Sequence, residues 1–126
     1  MIPPMAGTRA LGAEGEARAA RLLEANGYTI LARNARADGV EIDLVAARGD
    51  SIAFVEVKAR RGRAHGAPEE AVDWRKRRRL VRGAAAWLHA SGLRARRVRF
   101  DVIVCELGPT GAWELRHLAG AFDAGG

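Results

Sequence analysis

The sequence predicts one α/β domain, a mixed β-sheet flanked by helices in the order α-β-β-β-α-β-β. Three observations predict it. Two segments, near residues 9–26 and 74–91, repeat apolar residues at helical spacing and stop at glycine. Five other stretches are apolar and β-rich and are separated by turn residues. A length of 126 residues suits a single core with such layers.

Residues 1–8, with Pro3-Pro4, read as a tail before a domain spanning 9–122; residues 123–126 form a C-terminal tail. Thr8 is the expected N-cap of a helix from Arg9 to Asn26, and Gly27 its C′ residue. Leu11, Gly15, Ala19, Leu22 and Leu23 lie on one stripe. Glu16 sits at the edge of that stripe and reads as a snorkelling or paired acid. A strand from Tyr28 to Arg33 ends at Asn34, and Asn34–Gly39 reads as a polar turn. Val40 to Arg60 is two alternating runs joined by Gly49-Asp50, a dipeptide suited to a two-residue hairpin. Arg60 to Pro68 reads as a loop, with His65 as a solvated side chain.

Asp73 caps the second expected helix, Gly92 ends it, and Trp74, Leu80, Val81, Ala84, Ala85 and Leu88 form its apolar side. Arg75, Arg78, Arg79 and Arg82 cluster on the opposite face, while Arg77 falls on the apolar stripe without an evident reason. Strands from Val98 to Leu107 and from Ala112 to Leu118 follow, joined by the turn Gly108–Gly111. Ala119–Gly126 then trails off, with Phe122 docking on the core. Asp101 reads as an acid paired with an arginine inside the sheet.

The hairpin carries the chemistry. Pairing its halves about Gly49-Asp50 sets Asp43 opposite Glu56 and Glu41 opposite Lys58, all on one face, with Ile42, Leu44, Val55 and Val57 on the other. Directly opposed carboxylates repel, unless a cation lies between them or one keeps a proton. A hard divalent ion such as Mg²⁺ takes one or two carboxylates and completes its shell with water and phosphate oxygens. Acid, acid and lysine around one ion make a centre for phosphodiester cleavage. The plainer reading is a surface ladder, in which Glu41 and Lys58 form a cross-strand ion pair worth about 0.2–1 kcal/mol.

The spacing Asp43-x12-Glu56-x-Lys58 resembles the PD-(D/E)XK nuclease signature. Gly12–Glu16, Arg33-Asn34, EIDLV at Glu41–Val45, FVEVKAR at Phe54–Arg60 and RFDV at Arg99–Val102 resemble the YraN family, small bacterial proteins similar to archaeal Holliday-junction resolvases. The resemblance runs from about Leu11 to Phe122; Val40 departs from the glycine usual before the glutamate. It implies a restriction-endonuclease-like fold and a metal-dependent endonuclease acting on nucleic acid, with branched or structured DNA favoured over RNA. In that role Asp43 and Glu56 hold Mg²⁺ or Mn²⁺, helped by the Val57 carbonyl, and Lys58 positions water or neutralises charge. Glu41 steadies Lys58, and Glu16 completes the site, since related resolvases place a first-helix glutamate there. Lys76 matches a family lysine expected to touch substrate, beside Arg60, Arg75 and Arg79 as phosphate contacts. Junction resolvases usually work as two-fold dimers, so the resemblance allows a homodimer, but the sequence identifies no surface for one and leaves the oligomeric state open. The rival reading keeps the fold without the chemistry, as a nucleic-acid-binding module or a partner in a DNA-processing complex.

Composition narrows the partners. A net charge of +6, carried almost wholly by arginine, favours polyanions, nucleic acid first, although an Ala/Gly/Arg-rich chain also reflects GC-rich coding. Cys105 is the only cysteine, which excludes an intrachain disulfide, and its apolar neighbours make it a core thiol. No apolar run approaches the roughly 18–20 residues of a membrane span, and no secretory leader is evident, so a cytoplasmic protein is expected. No P-loop, zinc spacing or Ser/Cys–His nucleophile pattern is present.

Overall fold

The computed structural model describes residues 8–62, 73–94 and 97–124. Its elements are α1 (Thr8–Ala25), β1 (Thr29–Ala37), β2 (Val40–Arg48), β3 (Ser51–Arg61), α2 (Trp74–Ser91), β4 (Arg97–Leu107) and β5 (Trp113–Phe122), in the predicted order. The strands form one five-stranded sheet in sequential order β1-β2-β3-β4-β5. Only β3 and β4 are parallel. That pair needs a crossover rather than a tight turn, and α2 lies in it.

The sheet separates two apolar layers. Beneath α1, Ala19, Ala20 and Leu23 pack on Leu44, Val55, Ile103 and Cys105. Beneath α2, Leu80 and Ala84 pack on Ile42, Val45, Phe54, Phe100 and Val102. Phe100 stacks between Phe54 and Phe122, at centroid distances of 6.0 and 5.2 Å.

Both helix ends follow their local chemistry. α1 opens at Thr8, the residue expected to precede it, and closes in a Schellman arrangement. Tyr28 N–H donates to the Leu23 carbonyl and Gly27 N–H to that of Glu24, with Gly27 at φ 87°. In α2 the Asp73 side chain accepts from the Lys76 N–H, and Gly92 ends the helix at φ 71°.

Several expectations need correction. β1 does not stop at Arg33 but continues to Ala37. The turn after it is confined to Asp38-Gly39, at φ 51° and 72°, the positive angles of a type I′ hairpin. β3 runs on to Arg61, so Arg60 is in a strand; His65 lies outside the described residues. β5 extends past Leu118 to Phe122, because Phe122 pairs with Phe100 rather than docking from a tail. On α2, Ala85 and Trp74 are exposed instead of joining the apolar side, and Trp87 packs edge-on against Phe54 at 5.8 Å.

The main correction concerns the hairpin. Its register is the expected one from Arg48↔Ser51 to Leu44↔Val55, and there the β2–β3 ladder ends. Neither Asp43 and Glu56 nor Glu41 and Lys58 are ladder partners; Glu41 is registered on Arg36 of β1, and Lys58 on Val104 of β4. At the break the Val57 N–H donates to Asp43 Oδ2 at 2.8 Å, so a side chain takes the place of a ladder carbonyl. Alternation slips at the same level. Ile42 and Val45, three residues apart, both pack under α2, while Leu44 packs under α1. On β1, Ala32 and Ala35 repeat that spacing, and Asn34 between them turns the chain at φ 49°. Ile42 is therefore not on the face of Leu44, Val55 and Val57.

Candidate active site

Where β2 and β3 part, a cleft of about 260 Å³ opens, lined by Val40, Glu41, Asp43, Glu56, Lys76 and Arg79 among others. Two glycines set the helices close enough to build it. A Cβ on buried Gly15 would stand 2.7 Å from that of Ala59, so α1 lies directly on β3 with Glu16 as the next residue. A Cβ on Gly83 would stand 2.9 Å from Val40, which draws α2 onto β2. Lys76, two turns earlier on α2, then reaches Glu56 Oε1 at 3.0 Å.

Four acids meet here from three elements. Asp43 is withdrawn from water, and its pKa rises to about 7, by burial first and then by repulsion from Glu56, Glu16 and Glu41; the Val57 N–H opposes the rise. The Glu16 carboxyl is also raised, chiefly by burial, with Glu41 and Glu56 adding to it. The hydrogen bonds that it accepts from Asn34 and Asp43 pull it back. With its amide nitrogen facing the acids, Asn34 donates to Glu16 Oε1 at 3.0 Å and to Glu41 Oε1 at 3.1 Å. Asn34 thus clamps α1 to β2 across the cleft, a role that the sequence reading missed. Its signals were the Arg33-Asn34 pair and the tolerance of asparagine for positive φ.

Among the described residues no three His, Cys, Asp or Glu side chains form a ready-made metal cage. The donors fit a less demanding ion. Two carboxylates at an open cleft suit Mg²⁺ or Mn²⁺, which keep water and phosphate oxygens in their shells; zinc would want imidazole or thiolate. A raised Asp43 pKa is what a carboxylate cluster shows when no cation neutralises it.

The remaining predicted residues divide. Lys58 follows Glu56 on β3, is exposed, and makes no ion pair among the described residues; the lysine that reaches the acids is Lys76. Arg60 is not at the cleft. Its guanidinium forks onto Glu106 Oε2 at 3.2 and 3.0 Å, and Arg116 holds the other oxygen. Glu106 is buried and had no sequence signal beyond lying in an apolar strand. Arg75 rests over the Trp74 ring, Arg79 lines the cleft, and Arg82 pairs with Asp38 at 2.9 Å. Arg77, unexplained by periodicity, lies over the Phe122 ring at 5.3 Å, a cation–π contact that accounts for its place on the apolar stripe. Asp101 is the expected buried acid paired with Arg99. Cys105 is a core thiol that donates to the Gly15 carbonyl, with its pKa pushed up to about 12 by burial.

Comparison with known proteins adds kinship. The family described as "Uncharacterised protein family UPF0102" matches residues 15–105. A UPF0102 protein of Rhodococcus jostii is 47% identical over 118 residues, covering 94% of this chain and 100% of that protein. One of Symbiobacterium thermophilum is 47% identical over 117 residues, 93% and 99% of the two chains. Another, of Moorella thermoacetica, is 52% identical over 95 residues, 75% and 79% of the two.

Proposed function

The chain belongs to the uncharacterised protein family UPF0102, the YraN family, and from that premise we propose that its cleft hydrolyses phosphodiester bonds of nucleic acid with a divalent cation, Mg²⁺ or Mn²⁺. Branched or otherwise structured DNA is the favoured substrate. One observation carries the reading: Asp43 and Glu56 converge from β2 and β3 on a cleft whose rim is cationic through Lys76 and Arg79, with Glu16 of α1 hydrogen-bonded to Asp43. Acids withdrawn from water and pressed together cost stability, and a divalent ion with a phosphate is the ligand that offsets the cost.

In this proposal Asp43 and Glu56 hold the ion, with the Val57 carbonyl beside them. When bound, the ion supplies Lewis-acid polarisation of the phosphate and a more acidic water. Asp43 gives up its proton on loading. Its Oδ2 stays oriented by the Val57 N–H, at 2.8 Å. Glu16 and Asn34 keep the acid cluster in register from the α1 side. Lys76 exchanges Glu56 for a phosphate oxygen as substrate enters, and Arg79 takes a neighbouring phosphate. Lys58 neutralises charge building on the scissile group.

A second reading, a nucleic-acid-binding module without chemistry, is favoured by the same Lys76. Its ammonium already neutralises Glu56, at 3.0 Å, without any metal. Labelled four-way junction, flap, duplex and single-stranded DNA incubated with Mg²⁺ or Mn²⁺ separate the two. Metal-dependent cutting by the wild type, absent in Asp43→Ala and Lys58→Ala, is the expected result. Tight binding by all three proteins with no cutting would leave the binding module.

A further inference from the structure

Trp74 is the most exposed large apolar side chain among the described residues, 59% accessible although it sits in the first turn of α2. The guanidinium groups of Arg75 and Arg78 lie 5.4 and 5.8 Å from its ring centroid. Two hollows meet at the indole. One, of about 280 Å³, is bordered by Arg77, Val81 and Asp123; the other, of about 360 Å³, by Arg75, Arg79 and Arg82. Arg79 also lines the acidic cleft, so the basic hollow leads from the indole to the proposed scissile position.

We propose that Trp74 is a stacking platform for an unpaired nucleobase on the strand whose phosphate enters the cleft. This rests on the reading of nucleic acid as the ligand and extends it to substrate structure. An exposed indole offers a π-face to any base when a guanidinium now over the ring swings out to meet a flanking phosphate. Inside a duplex the base faces are covered by their neighbours and cannot reach the ring without unstacking. A single strand, a flap or the arm of a junction presents the face freely. Trp74 therefore selects for an unpaired nucleotide beside the cleft while remaining indifferent to base identity. Charge decides among occupants: an indole set within an arginine groove that adjoins the proposed metal cleft matches a polyanion bearing flat apolar groups.

The test uses labelled oligothymidylate and an abasic oligonucleotide of equal length, bound to the full chain in EDTA and followed by anisotropy. Wild type should prefer the base-bearing strand. Trp74→Ala should lose about 5- to 100-fold on that strand, nothing on the abasic one, and keep the same salt slope. Trp74→Phe should retain most of the preference, and melting curves should show both variants folded. Undiminished base preference in Trp74→Ala would overturn the proposal, as would an equal loss on both strands. Binding to anionic phosphatidylglycerol vesicles in place of either oligonucleotide would overturn it together with the nucleic-acid reading. Base preference with no cleavage in Mg²⁺ or Mn²⁺ would sustain the platform and remove only the nuclease.

Discussion

Asp101 and Asp43 are acids of one sheet whose pKa values are pushed in opposite directions. Asp101 accepts from Arg99 Nε and Nη2 at 3.1 and 2.8 Å and from the Gly120 N–H at 2.9 Å, and lies 2.7 Å from His117 Nε2. Burial pushes its pKa up, but these partners outweigh it and hold the carboxylate at about 2. Its stabilising contribution is present above the ordinary aspartate range and is lost as pH falls toward 2. Asp101→Ala should cost about 3–5 kcal/mol at pH 7, because buried donors lose their acceptor. Urea melts would also show a flatter acid limb below pH 4; an unchanged limb would count against the assignment. Asp43 has the reverse sign. With a folded pKa of about 7, its contribution favours the fold at low pH and is lost as pH rises toward neutrality. Asp43→Asn should therefore stabilise the protein at pH 8 in EDTA, by on the order of 1–2 kcal/mol, and do little at pH 4. Mn²⁺ should raise the melting temperature of the wild type at pH 8 but not that of the variant. Equal effects of the substitution at both pH values would contradict the shifted acid.

Among the elements, α1 and α2 come closest to the sheet at Gly15 and Gly83, and this brings acids and lysine to one cleft. Gly15→Ala places a Cβ against Ala59, itself a short side chain with no flexible end to move aside. It should cost about 1–3 kcal/mol and weaken divalent-ion binding by displacing Glu16. Gly12 in the same helix has open space around its missing Cβ. Gly12→Ala should instead gain about 0.5–1 kcal/mol in helix propensity. Paired thermal melts and Mn²⁺ titrations check both; loss of stability in both variants would place the effect in the helix, not in its contact with β3.

At the scale of the molecule, a chain of net charge +6 sets four acids together at the cleft and five arginines along α2. Nucleic-acid affinity should fall with salt, linearly on logarithmic axes. Arg79→Ala should reduce the slope by about one, whereas Arg60→Ala should leave the slope alone and lower stability, since Arg60 is committed to Glu106. Equal slope changes in the two variants would show that the basic surface acts as a whole and not through the groove beside the cleft. No helix among the described residues is long and apolar enough to cross a membrane.

Much of this was legible in the amino-acid order because its causes are local. The glycine stops, the Asp73 cap, the hairpin register from Arg48 to Leu44 and the acids of the hairpin each depend on residues near one another in the chain. Asp38-Gly39 is an equally local signal, a two-residue turn inside a longer polar stretch. The tertiary structure decided what periodicity cannot express. A strand alternates only while its neighbours keep the ladder, and the slip at Asn34 and Asp43, which puts Ile42 beneath α2, falls where the ladder ends and the Val57 N–H finds a carboxylate. Which cation meets which acid depends on how closely helices pack on the sheet. Lys76 therefore reaches Glu56 from a distant helix, Lys58 stays in solvent, and Arg60 turns to Glu106. Residue types and spacing determined that acids would stand on adjoining strands; helix and strand geometry determined which cation meets them, because ion pairs form across short distances in space rather than along the chain.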